Sequence, residues 1–596
     1  MEVGNEQVGN IDLINGPIVH VNGFKAPRIR DLCLIGTFNI PGEIIRLQKK
    51  NGSTLAIIQA FEDTNGVHLG DEARCLGYPL SMELGPGLLG SIIDGIQRPL
   101  DRYFEHSGGF LTRGLAFPAL DRKKYWEFKP IRKKGDMVEP GKILGTVQEN
   151  SSIVHKIITP VGIKGAIDEI AGNQPLLVTD TACTVRGTDG AKVDLQLFQR
   201  WPITLPRPIK SRLLPSIPLI SGVRLIDSLF PITKGGCATI PGGFGTGKTV
   251  LQHQFAKYCD ADIIVYIGCG ERGNEMSDIL NQFPALEDPR GNPLMDRTIL
   301  IGNTSNMPVS AREASIFSGI TMAEYFRDQG YHVALMADST SRWAEALREI
   351  SGRLEELPAE GGYPAYLGKK LASFYERAGY VEILGNPGIR SSISVIGAVS
   401  PPGGDFSDPV VQATKRFIKA FWALDPKLAY ARQYPAINWI QSYSLYDDDV
   451  KEWWMEQDRT WGRYHTLMLK ILHEDHELED LVKLLGADAL PIQKQLTIFV
   501  ADLIKRTFLL QNAFDDTDAY CPPVKQAKML KMYIKYYKRA TELLDSGAPL
   551  FKIKELEILP EMARARKDIP NEKPDQIDDI IQKMNAEMNM IRKEMS

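Results

Sequence analysis

The stretch Ile240-Pro-Gly-Gly-Phe-Gly-Thr-Gly-Lys-Thr-Val250 decides the architecture of this chain. It fits the pattern G-x-x-x-x-G-K-[ST], with a short apolar run before it (237–240) and a helix-like run after it (250–258). A strand, a glycine-rich loop and a helix in this order form a P-loop, whose backbone N–H groups surround a polyphosphate at a helix N-terminus. The pattern therefore predicts a nucleotide-binding α/β domain.

The same pattern assigns roles to individual residues. Lys248 is expected to reach the β- and γ-phosphates, and the hydroxyl of Thr249 is expected to bind Mg²⁺. A glycine-rich turn followed by a chance Lys-Thr is the alternative, and four matching residues between a strand and a helix disfavour it. The remaining residues that we expect to bind the nucleotide are Gly242, Gly243, Phe244, Gly245, Thr246, Gly247 and Val250.

Composition narrows the class of protein. The 596 residues suggest roughly three to five domains, and 43% hydrophobic with 24% charged residues is ordinary for a globular protein. A net charge of −4 gives no electrostatic reason to expect nucleic acid or an acidic membrane surface as a partner. We find no apolar run long enough for a transmembrane helix, and the N-terminal residues lack the features of a signal peptide.

The seven cysteines are dispersed along the chain, with no C-x-x-C pair. An odd and scattered set of this kind is typical of reduced thiols in a cytosol. It does not indicate a disulfide framework or a zinc site.

Five regions differ in their patterning. Short apolar runs separated by Gly, Asn and Asp predict a small N-terminal β-barrel, which we interpret as an assembly collar. A β-sandwich pattern follows, then a proline-rich linker (201–218), alternating strands and helices, and finally helices predicted over 450–475, 477–486, 492–514 and 524–545. The predicted domains are a β-barrel (1–80), a β-rich insertion (110–200), a P-loop α/β domain (201–445) and a helical domain (446–596).

Two acids complete the predicted chemistry. Asp338 ends an apolar strand and is expected to bind Mg²⁺, although a strand-end aspartate can also serve as a helix N-cap. Glu271 lies on a Gly-containing loop directly after the predicted strand 263–267. Open α/β sheets bind ligands at the carboxyl ends of their strands. A carboxylate there can accept a hydrogen bond from a water in line with the γ-phosphate. The alternative interpretation is that Glu271 is an ordinary acid on a surface loop.

The charge that develops during phosphoryl transfer requires a cation. Arg272 and Arg342 are candidates in this chain, and an arginine from a neighbouring subunit is equally compatible with the sequence. Tyr434 and Phe514 are candidates for stacking on the adenine ring, with Gln511 in the same stretch as Phe514. Buried core aromatics are an alternative that the sequence leaves open.

Several stretches together resemble the catalytic A subunit of the V-type/A-type rotary ATPases. The resemblance covers essentially the whole chain, and the 110–200 block resembles an insertion that the A subunit has and the F-type β subunit lacks. The stretches that carry the resemblance are 83–100, 242–249, 268–276, 303–308, 336–349 and 399–405.

The resemblance implies a RecA-like catalytic domain within an A₃B₃ ring, with sites at the A/B interfaces and an arginine finger from a B-type partner. It implies a translocase that hydrolyses or forms ATP. The ring would drive a central stalk and thereby move H⁺ or Na⁺ through a separate membrane sector. Peripheral stalks would hold the ring, and the chain would lie on the cytoplasmic side of the membrane. It also implies that Lys248 and Thr249 contact the phosphates and Mg²⁺, Glu271 activates water, Arg272 lies beside the γ-phosphate, and Tyr434 and Phe514 hold adenine.

Two positions depart from the family pattern. Position 243 is Gly where many members have Pro or Ala, so we expect a more mobile loop. Position 246 is Thr where the eukaryotic form has a redox-sensitive Cys, so we expect that switch to be absent. Both features fit a bacterial or archaeal type of enzyme.

Three other classes of protein are less consistent with the sequence. Hexameric ATPases of the protein-secretion type are shorter and lack the 110–200 insertion. A non-catalytic nucleotide-binding ring subunit is expected to lack the equivalent of Lys248 or Glu271, and this chain has both. A helicase would need a basic, aromatic-bearing channel for a nucleic-acid strand, which the composition does not offer.

Overall fold

The computed structural model describes residues 6–50, 53–108, 114–289, 291–515 and 517–594. The signal-peptide expectation, which concerns residues 1–5, and the parts of the predicted domains at 1–5, 51–52, 110–113, 516 and 595–596 lie outside the described residues. The chain forms two compact units. The first unit comprises Met1–Leu213, Ala261–Val399 and Ser407–Phe417, and the second comprises Leu214–Asp260, Ser400–Phe406 and Ile418–Ser596.

The first unit begins with a closed β-barrel, as the sequence predicts. Its strand order is β1-β2-β5-β4-β3-β6, and β1 pairs with β6 to complete the circle. Alternate side chains point inward along each strand, so the barrel interior is a continuous apolar core. The strands are β1 (Gln7–Asn15), β2 (Ile18–Asn22), β3 (Asp31–Ile35), β4 (Ile40–Lys50), β5 (Ser53–Ala60) and β6 (Glu72–Pro79).

A β-sandwich follows in the same unit. Its two four-stranded sheets have the orders β10-β13-β15-β16 and β12-β11-β9-β14. Val138, Leu144 and Ile167 belong to its buried core. The elements from the barrel to the end of the sandwich are β7 (Ser81–Leu84), β8 (Ile92–Ile93), α1 (Leu100–Ser107), β9 (Tyr125–Pro130), β10 (Met137–Val138), β11 (Ile143–Gln148), β12 (Val154–Ile158), β13 (Gly165–Ile170), β14 (Gln174–Leu177), β15 (Thr181–Gly187) and β16 (Lys192–Gln196).

The predicted proline-rich linker at 201–218 is partly paired. Strand β17 (Gln199–Pro202) pairs with β7, and β18 (Ser211–Leu213) pairs with residues 380–382. A short edge strand tolerates proline because one side of it makes no ladder hydrogen bonds. The predicted semi-rigid linker therefore includes two segments that form short strands paired with other parts of the first unit.

The second unit contributes the P-loop segment. Helix α2 (Arg224–Leu229) leads to β19 (Cys237–Pro241), and helix α3 (Lys248–Tyr258) begins after the glycine-rich loop. Every residue of β19 is buried, as the apolar run at 237–240 predicts.

The first unit then supplies a mostly parallel sheet in the order β24-β22-β20-β21-β8, with β23 antiparallel beside β24. Strand β20 has eight consecutive buried residues, and 18 of the 20 residues of α5 are buried. Strands of a parallel sheet that are covered by other elements on both faces have nearly continuous apolar sequences. The elements are β20 (Ile263–Glu271), α4 (Gly273–Gln282), β21 (Thr298–Thr304), α5 (Val309–Asp328), β22 (His332–Asp338), α6 (Thr340–Arg353), α7 (Leu367–Tyr375), β23 (Gly379–Glu382), β24 (Arg390–Val399) and α8 (Pro409–Lys415).

The rest of the second unit is helical after two short strands. Strand β25 pairs in parallel with β19 and antiparallel with β26. None of the described helices combines the length and apolar character needed to cross a bilayer. The elements are β25 (Ala420–Phe421), α9 (Pro426–Tyr430), β26 (Tyr443–Ser444), α10 (Asp447–Gln457), α11 (Trp461–Leu485), α12 (Ile492–Ile504), α13 (Pro523–Asp545), α14 (Leu550–Lys554), α15 (Leu559–Asp568) and α16 (Gln576–Glu594).

The predicted boundaries of these helices need correction. The helix predicted at 450–475 is interrupted between α10 and α11, where Asp458 accepts a hydrogen bond from the Thr460 amide (2.7 Å) and forms an ion pair with Lys531 (2.7 Å). The break predicted before 477 is absent, because α11 continues to Gly486, whose φ of 82° ends it. The helix predicted at 492–514 ends at Ile504 and is followed by one π-helical turn, Lys505–Leu509.

Candidate functional site

Two groups of residues carry the predicted chemistry, one in each unit. In the second unit, the glycine-rich loop turns through two left-handed residues, Gly245 (φ 76°) and Gly247 (φ 90°), before α3 starts at Lys248. Other residues rarely adopt this conformation, so the turn explains the glycines in the motif. The first N–H groups of an α-helix have no acceptor within the helix, which makes the start of α3 a suitable place for an anion.

Lys248 bends back over this loop. Its Nζ donates to the carbonyl oxygens of Gly242 and Gly243, both at 2.8 Å. These contacts hold the ammonium group, which is part-buried, against the backbone of the loop. Lys248 therefore places a cation at the loop that is expected to bind the phosphates. Its predicted contact with the β- and γ-phosphates stays a prediction.

Thr246 braces the loop from within. It is 4% exposed, and its Oγ1 donates to the Gly243 carbonyl at 2.8 Å. A Cβ on Gly242 would lie 2.6 Å from Thr246 Oγ1 and 2.8 Å from Leu424 Cβ, so only glycine fits there. A Cβ on Gly243 would make only an ordinary contact, 3.7 Å from the Gly404 Cα. The greater mobility expected from Gly243 stays a prediction.

The outer part of the loop faces solvent. The Phe244 side chain is 80% exposed and Val250 is 40% exposed, while Thr249 is half-buried on the first turn of α3. Within the predicted nucleotide-binding residues 242–250, Phe244 and Val250 are thus exposed, whereas Gly242 and Thr246 are buried.

Tyr434 lies beside the same helix start. A Cβ added to Gly247 would come within 4.0 Å of the Tyr434 ring, and the Tyr434 hydroxyl donates to Gln254 Oε1 at 2.7 Å. Gln254 is itself buried and donates to the Ala519 carbonyl, which fixes its orientation. The structure thus brings this predicted adenine-binding aromatic next to the P-loop within the second unit.

The other two predicted base-binding residues differ from each other. Gln511 is fully buried, its Oε1 accepts from the Arg224 amide (2.8 Å), and its Nε2 donates to the Gly222 and Asp518 carbonyls (both 2.8 Å). The polar atoms of the Gln511 side chain therefore already form hydrogen bonds with other residues of the protein. The Phe514 side chain is 89% exposed and is open to a ligand or a neighbouring chain.

The first unit holds the two predicted acids at the carboxyl ends of neighbouring parallel strands. Glu271 is the last residue of β20 and Asp338 is the last residue of β22, in a ladder where Gly268 lies opposite Asp338. Asp338 is 2% exposed, and the hydroxyl of Tyr266 donates to its Oδ2 at 3.3 Å. Adjacent strand ends in a parallel sheet are where α/β proteins place reactive groups.

Burial raises the pKa of Glu271 above the ordinary range of a carboxyl group. The negative charges of Asp338 and Glu275 raise it further, and a hydrogen bond with Glu275 acts in the same direction, while the positive charge of Arg342 opposes them. A carboxylate with a raised pKa is a stronger base than one in water, which suits a group that activates water.

Close packing positions the Glu271 segment. Gly270 has a φ of 73°, and a Cβ there would lie 2.7 Å from Arg342 Cβ and 3.1 Å from Arg312 Cδ. Arg312 donates to the Ser305 carbonyl at 2.9 Å, and the Ser305 amide donates to the Glu271 carbonyl at 2.8 Å. The backbone at Glu271 is therefore held from both sides.

The two candidate arginines of this chain have different surroundings. The Arg342 Nη1 contacts a carboxylate oxygen of Glu345 at 2.9 Å, and the guanidinium acts electrostatically on Glu271. Arg272 is exposed and immediately precedes α4. Arg342 is thus partly neutralised by its own helix, whereas Arg272 follows directly after the predicted base.

The two residues predicted to bind Mg²⁺ lie in different units. Thr249 in the second unit and Asp338 in the first each carry a hard oxygen donor, the type that Mg²⁺ prefers. No cluster of three or more His, Cys, Asp or Glu side chains suited to a metal occurs within the described part of the chain. Mg²⁺ usually retains several waters and takes further ligands from substrate phosphates, so a small protein donor set is compatible with it.

Sequence reasoning missed three residues around Glu271. Tyr266 binds Asp338, Glu275 raises the pKa of Glu271, and Arg312 packs against Gly270. Glu275 lies only four residues after Glu271, in the first turn of α4, so this neighbour is local in the sequence. Tyr266 and Arg312 gave no local signal, because their partners are distant in the sequence.

Comparison with known proteins agrees with this architecture. Residues 222–444 match the nucleotide-binding domain of the ATP synthase alpha/beta family, residues 117–204 match the ATP synthase alpha/beta subunit barrel-sandwich domain, and residues 451–554 match the C-terminal domain of V and A type ATP synthase. The fold class is thereby confirmed, while the domain limits 1–80, 110–200, 201–445 and 446–596 stay predictions. The fold and these matches define a nucleotide-binding subunit of the rotary ATPase class.

Relatives identify the member of that class. The A subunit of the A-type ATP synthase of Methanopyrus kandleri is 51% identical over 597 residues, and the match covers 100% of both chains. The same A subunit from Desulfurococcus sp. (51% identical, 94% of this chain and 95% of that one) and from Methanosphaera stadtmanae (49%, 98% and 99%) also match over nearly their whole length. The chain belongs to the family of A subunits of the A-type ATP synthases, and as such it is the catalytic subunit of a rotary ATPase.

A solved structure of the type III secretion ATPase EscN from enteropathogenic E. coli is similar with a TM-score of 0.63. The match covers 88% of this chain and 100% of that one, at 23% identity. At this identity the likeness concerns the fold alone.

Proposed function

We propose that this chain hydrolyses or forms ATP with Mg²⁺, in an ion-translocating ATPase, with Glu271 as the group that activates the attacking water. In the direction of hydrolysis, the Glu271 carboxylate accepts a hydrogen bond from that water and takes its proton. Asp338 and Thr249 are the protein ligands proposed for Mg²⁺, which when bound neutralises charge on the phosphates. Arg272 is proposed to lie beside the γ-phosphate.

One observation carries the proposal most directly. Glu271 and Asp338 end adjacent parallel strands, and the charge of Asp338 together with burial raises the pKa of Glu271. A surface acid would not have this environment. A half-buried acid with a second acid one strand away is the arrangement expected of a base next to a metal-binding carboxylate.

The phosphates are proposed to bind on residues 242–249. Lys248 already lies over the loop through its contacts to the Gly242 and Gly243 carbonyls. A triphosphate oxygen is a stronger acceptor than these neutral carbonyls because the hydrogen bond is then charge-assisted on both sides. Exchange of partners by the ammonium group is thus favourable when the nucleotide binds. Tyr434 and Phe514 are proposed to contact the adenine ring.

The proposed assembly follows from the family. Its members are subunits of a rotary complex, and we propose that this chain alternates with a B-type subunit in an A₃B₃ ring. The B-type subunit would supply the arginine finger, central and peripheral stalk subunits would connect the ring to a membrane sector, and H⁺ or Na⁺ would be the transported ion. The complex would place this chain at the cytoplasmic face of the membrane.

The test is Glu271→Gln in a ring reconstituted with a B-type subunit. We expect nucleotide binding to persist and turnover to fall by about three or more orders of magnitude, the range that loss of a water-orienting or charge-stabilising group costs in phosphoryl transfer. Glu287→Gln is the matched control, since Glu287 is an acid of the same unit that lies outside the proposed site. Near-normal turnover by the Glu271 variant would refute the assignment of the base.

The same experiment tests the shared site. The isolated chain should bind ATP and turn it over slowly, because it lacks the neighbour's arginine. Addition of the B-type subunit should restore the rate. Full activity of the monomeric chain would contradict the proposal that the partner completes the site. The role of Glu271 would still be tested separately by the Glu271→Gln variant.

A further inference from the structure

Two cysteines that are far apart in the sequence face each other in the N-terminal barrel. Cys33 in β3 lies directly opposite Cys75 in β6. The Gly36 amide donates to the Glu72 carbonyl at 2.9 Å, which marks residues 36 and 72 as a hydrogen-bonded pair. Such pairs alternate with non-hydrogen-bonded pairs along an antiparallel ladder, so Cys33 and Cys75 occupy a non-hydrogen-bonded position.

This position suits a covalent link. Opposed residues at non-hydrogen-bonded positions have Cα atoms about 4.5 Å apart and their side chains closest together. A disulfide needs a Cα separation of about 4.4–6.8 Å. The ladder therefore satisfies the geometric requirement without a shift of the backbone.

Both thiols contact the same residue, Asp31. The Cys33 Sγ lies 3.9 Å from the Asp31 carbonyl oxygen. The Cys75 Sγ lies 3.7 Å from Asp31 Oδ2. Both cysteines are 0% exposed in the barrel core. The Cys33 side chain lowers the pKa of Cys75, and the Gly77 backbone acts in the same direction, while burial and Asp31 oppose them. The Cys75 side chain and burial raise the pKa of Cys33.

We propose that Cys33 and Cys75 are a peroxide-sensitive dithiol, which closes to an intramolecular disulfide across the barrel and reopens on reduction. This modification site is independent of the proposed nucleotide chemistry. It replaces, for these two residues, the sequence-based expectation of unconnected reduced thiols. Peroxide is the oxidant because it is close to water in size, and a bulky disulfide reagent would first have to attach inside a packed barrel.

The reaction balances in two steps. The Cys75 thiol gives up its proton as its sulfur attacks one oxygen of hydrogen peroxide and the O–O bond breaks. The released hydroxide takes that proton and leaves as water, and Cys75 becomes a sulfenic acid. The Cys33 sulfur then attacks the Cys75 sulfur, and the sulfenic hydroxyl leaves with the Cys33 proton as a second water. Both sulfurs are oxidised, and one peroxide is reduced to two waters.

The link would stabilise the barrel. It joins β3 to β6 and closes a loop of roughly 40 residues, which restricts the unfolded chain and raises stability when native geometry is kept. A barrel linked in this way is expected to resist local opening, as measured by hydrogen exchange of the strand amides. Catalytic turnover need not change, since the pair lies in the barrel and not among the residues assigned to nucleotide.

The experiment uses the full-length chain in its ring, treated with graded hydrogen peroxide, alkylated under denaturing conditions and digested. We expect a peptide pair joined through Cys33 and Cys75, lighter by two hydrogens and lost on treatment with dithiothreitol. The oxidised protein should also unfold at a temperature higher by a few degrees, and the shift should disappear in Cys33→Ser and Cys75→Ser.

Cys183→Ser is the matched control. Cys183 is also a buried strand residue, but its ladder neighbours are Ile170 and Leu195. This variant should still form the Cys33–Cys75 link. Recovery of both thiols in reduced form, at peroxide doses that oxidise exposed methionines, would overturn the proposal. So would oxidation of Cys75 to sulfinic acid with no cross-linked peptide. Peptide mapping of the wild-type protein decides the question even if a serine variant fails to fold.

Discussion

Gly270 offers the sharpest test of how the Glu271 segment is positioned. Its φ of 73° lies in the left-handed region, and a Cβ would approach Arg342 Cβ to 2.7 Å and Arg312 Cδ to 3.1 Å. The Arg312 side chain can give way by a few tenths of an ångström, but the Arg342 Cβ is fixed to helix α6. Gly270→Ala therefore meets both a conformational and a steric penalty.

The two penalties can be sized. The left-handed conformation costs an alanine about 1–2 kcal/mol, and overpacking of this degree costs typically about 1–3 kcal/mol. The segment can relieve the strain by moving, and Glu271 is the next residue. A displacement of about 1 Å of a reacting group costs about 10²-fold in rate. We therefore expect the turnover number of Gly270→Ala to fall by about two orders of magnitude, with the protein still folded.

The assay compares turnover in the reconstituted ring with binding of a fluorescent nucleotide and with the thermal unfolding midpoint. Gly273→Ala is the control, since a Cβ there would have nothing within 4 Å and the residue begins helix α4. That variant should be active and no less stable, because alanine favours a helix over glycine. Wild-type turnover and an unchanged midpoint in Gly270→Ala would refute the packing argument.

Two further predictions concern the pH dependence and the nucleotide base. Because Glu275 raises the pKa of Glu271, the Glu275→Gln variant should have a lower Glu271 pKa. The acid limb of the kcat/KM profile should then move to lower pH, while the rate at alkaline pH stays the same. An acid limb that does not move would contradict the assignment of Glu271 as the base. Tyr434→Leu should raise the KM for ATP by up to about tenfold, from loss of a ring contact worth about 0.5–1.5 kcal/mol. Phe514→Leu should raise it similarly without lowering the unfolding midpoint, because the ring is 89% exposed, and an unchanged KM in both variants would remove the aromatics from the base site.

Contiguous features of the chain could be predicted from its sequence. The P-loop, its flanking strand and helix, and the acids at the ends of β20 and β22 are each encoded within a short segment. Steric limits on glycine and the apolar character of buried strands act over a few residues, so the pattern alone indicates them. The family resemblance rests on the same short segments, and the comparisons confirm it.

Helix limits were predicted less well. At the interruption, Asp458 accepts a local hydrogen bond from the Thr460 amide and also forms an ion pair with Lys531, which is remote in the sequence. The apolar spacing on either side of that interruption continues with nearly the same period, and for this reason the pattern predicts one helix where the chain forms two. Gln511 shows the same limit, because its burial against Arg224 has no local signal.

The tertiary structure decided which distant groups meet. Pairing of β20 with β22 sets Asp338 beside the end of the Glu271 strand, and packing of α5 and α6 makes glycine necessary at position 270. Pairing of β3 with β6 sets Cys33 against Cys75, which their spacing in the sequence gave no reason to connect. Strand register and burial are properties of the whole folded chain, since each is fixed by the free energy of a complete core and not by any single segment.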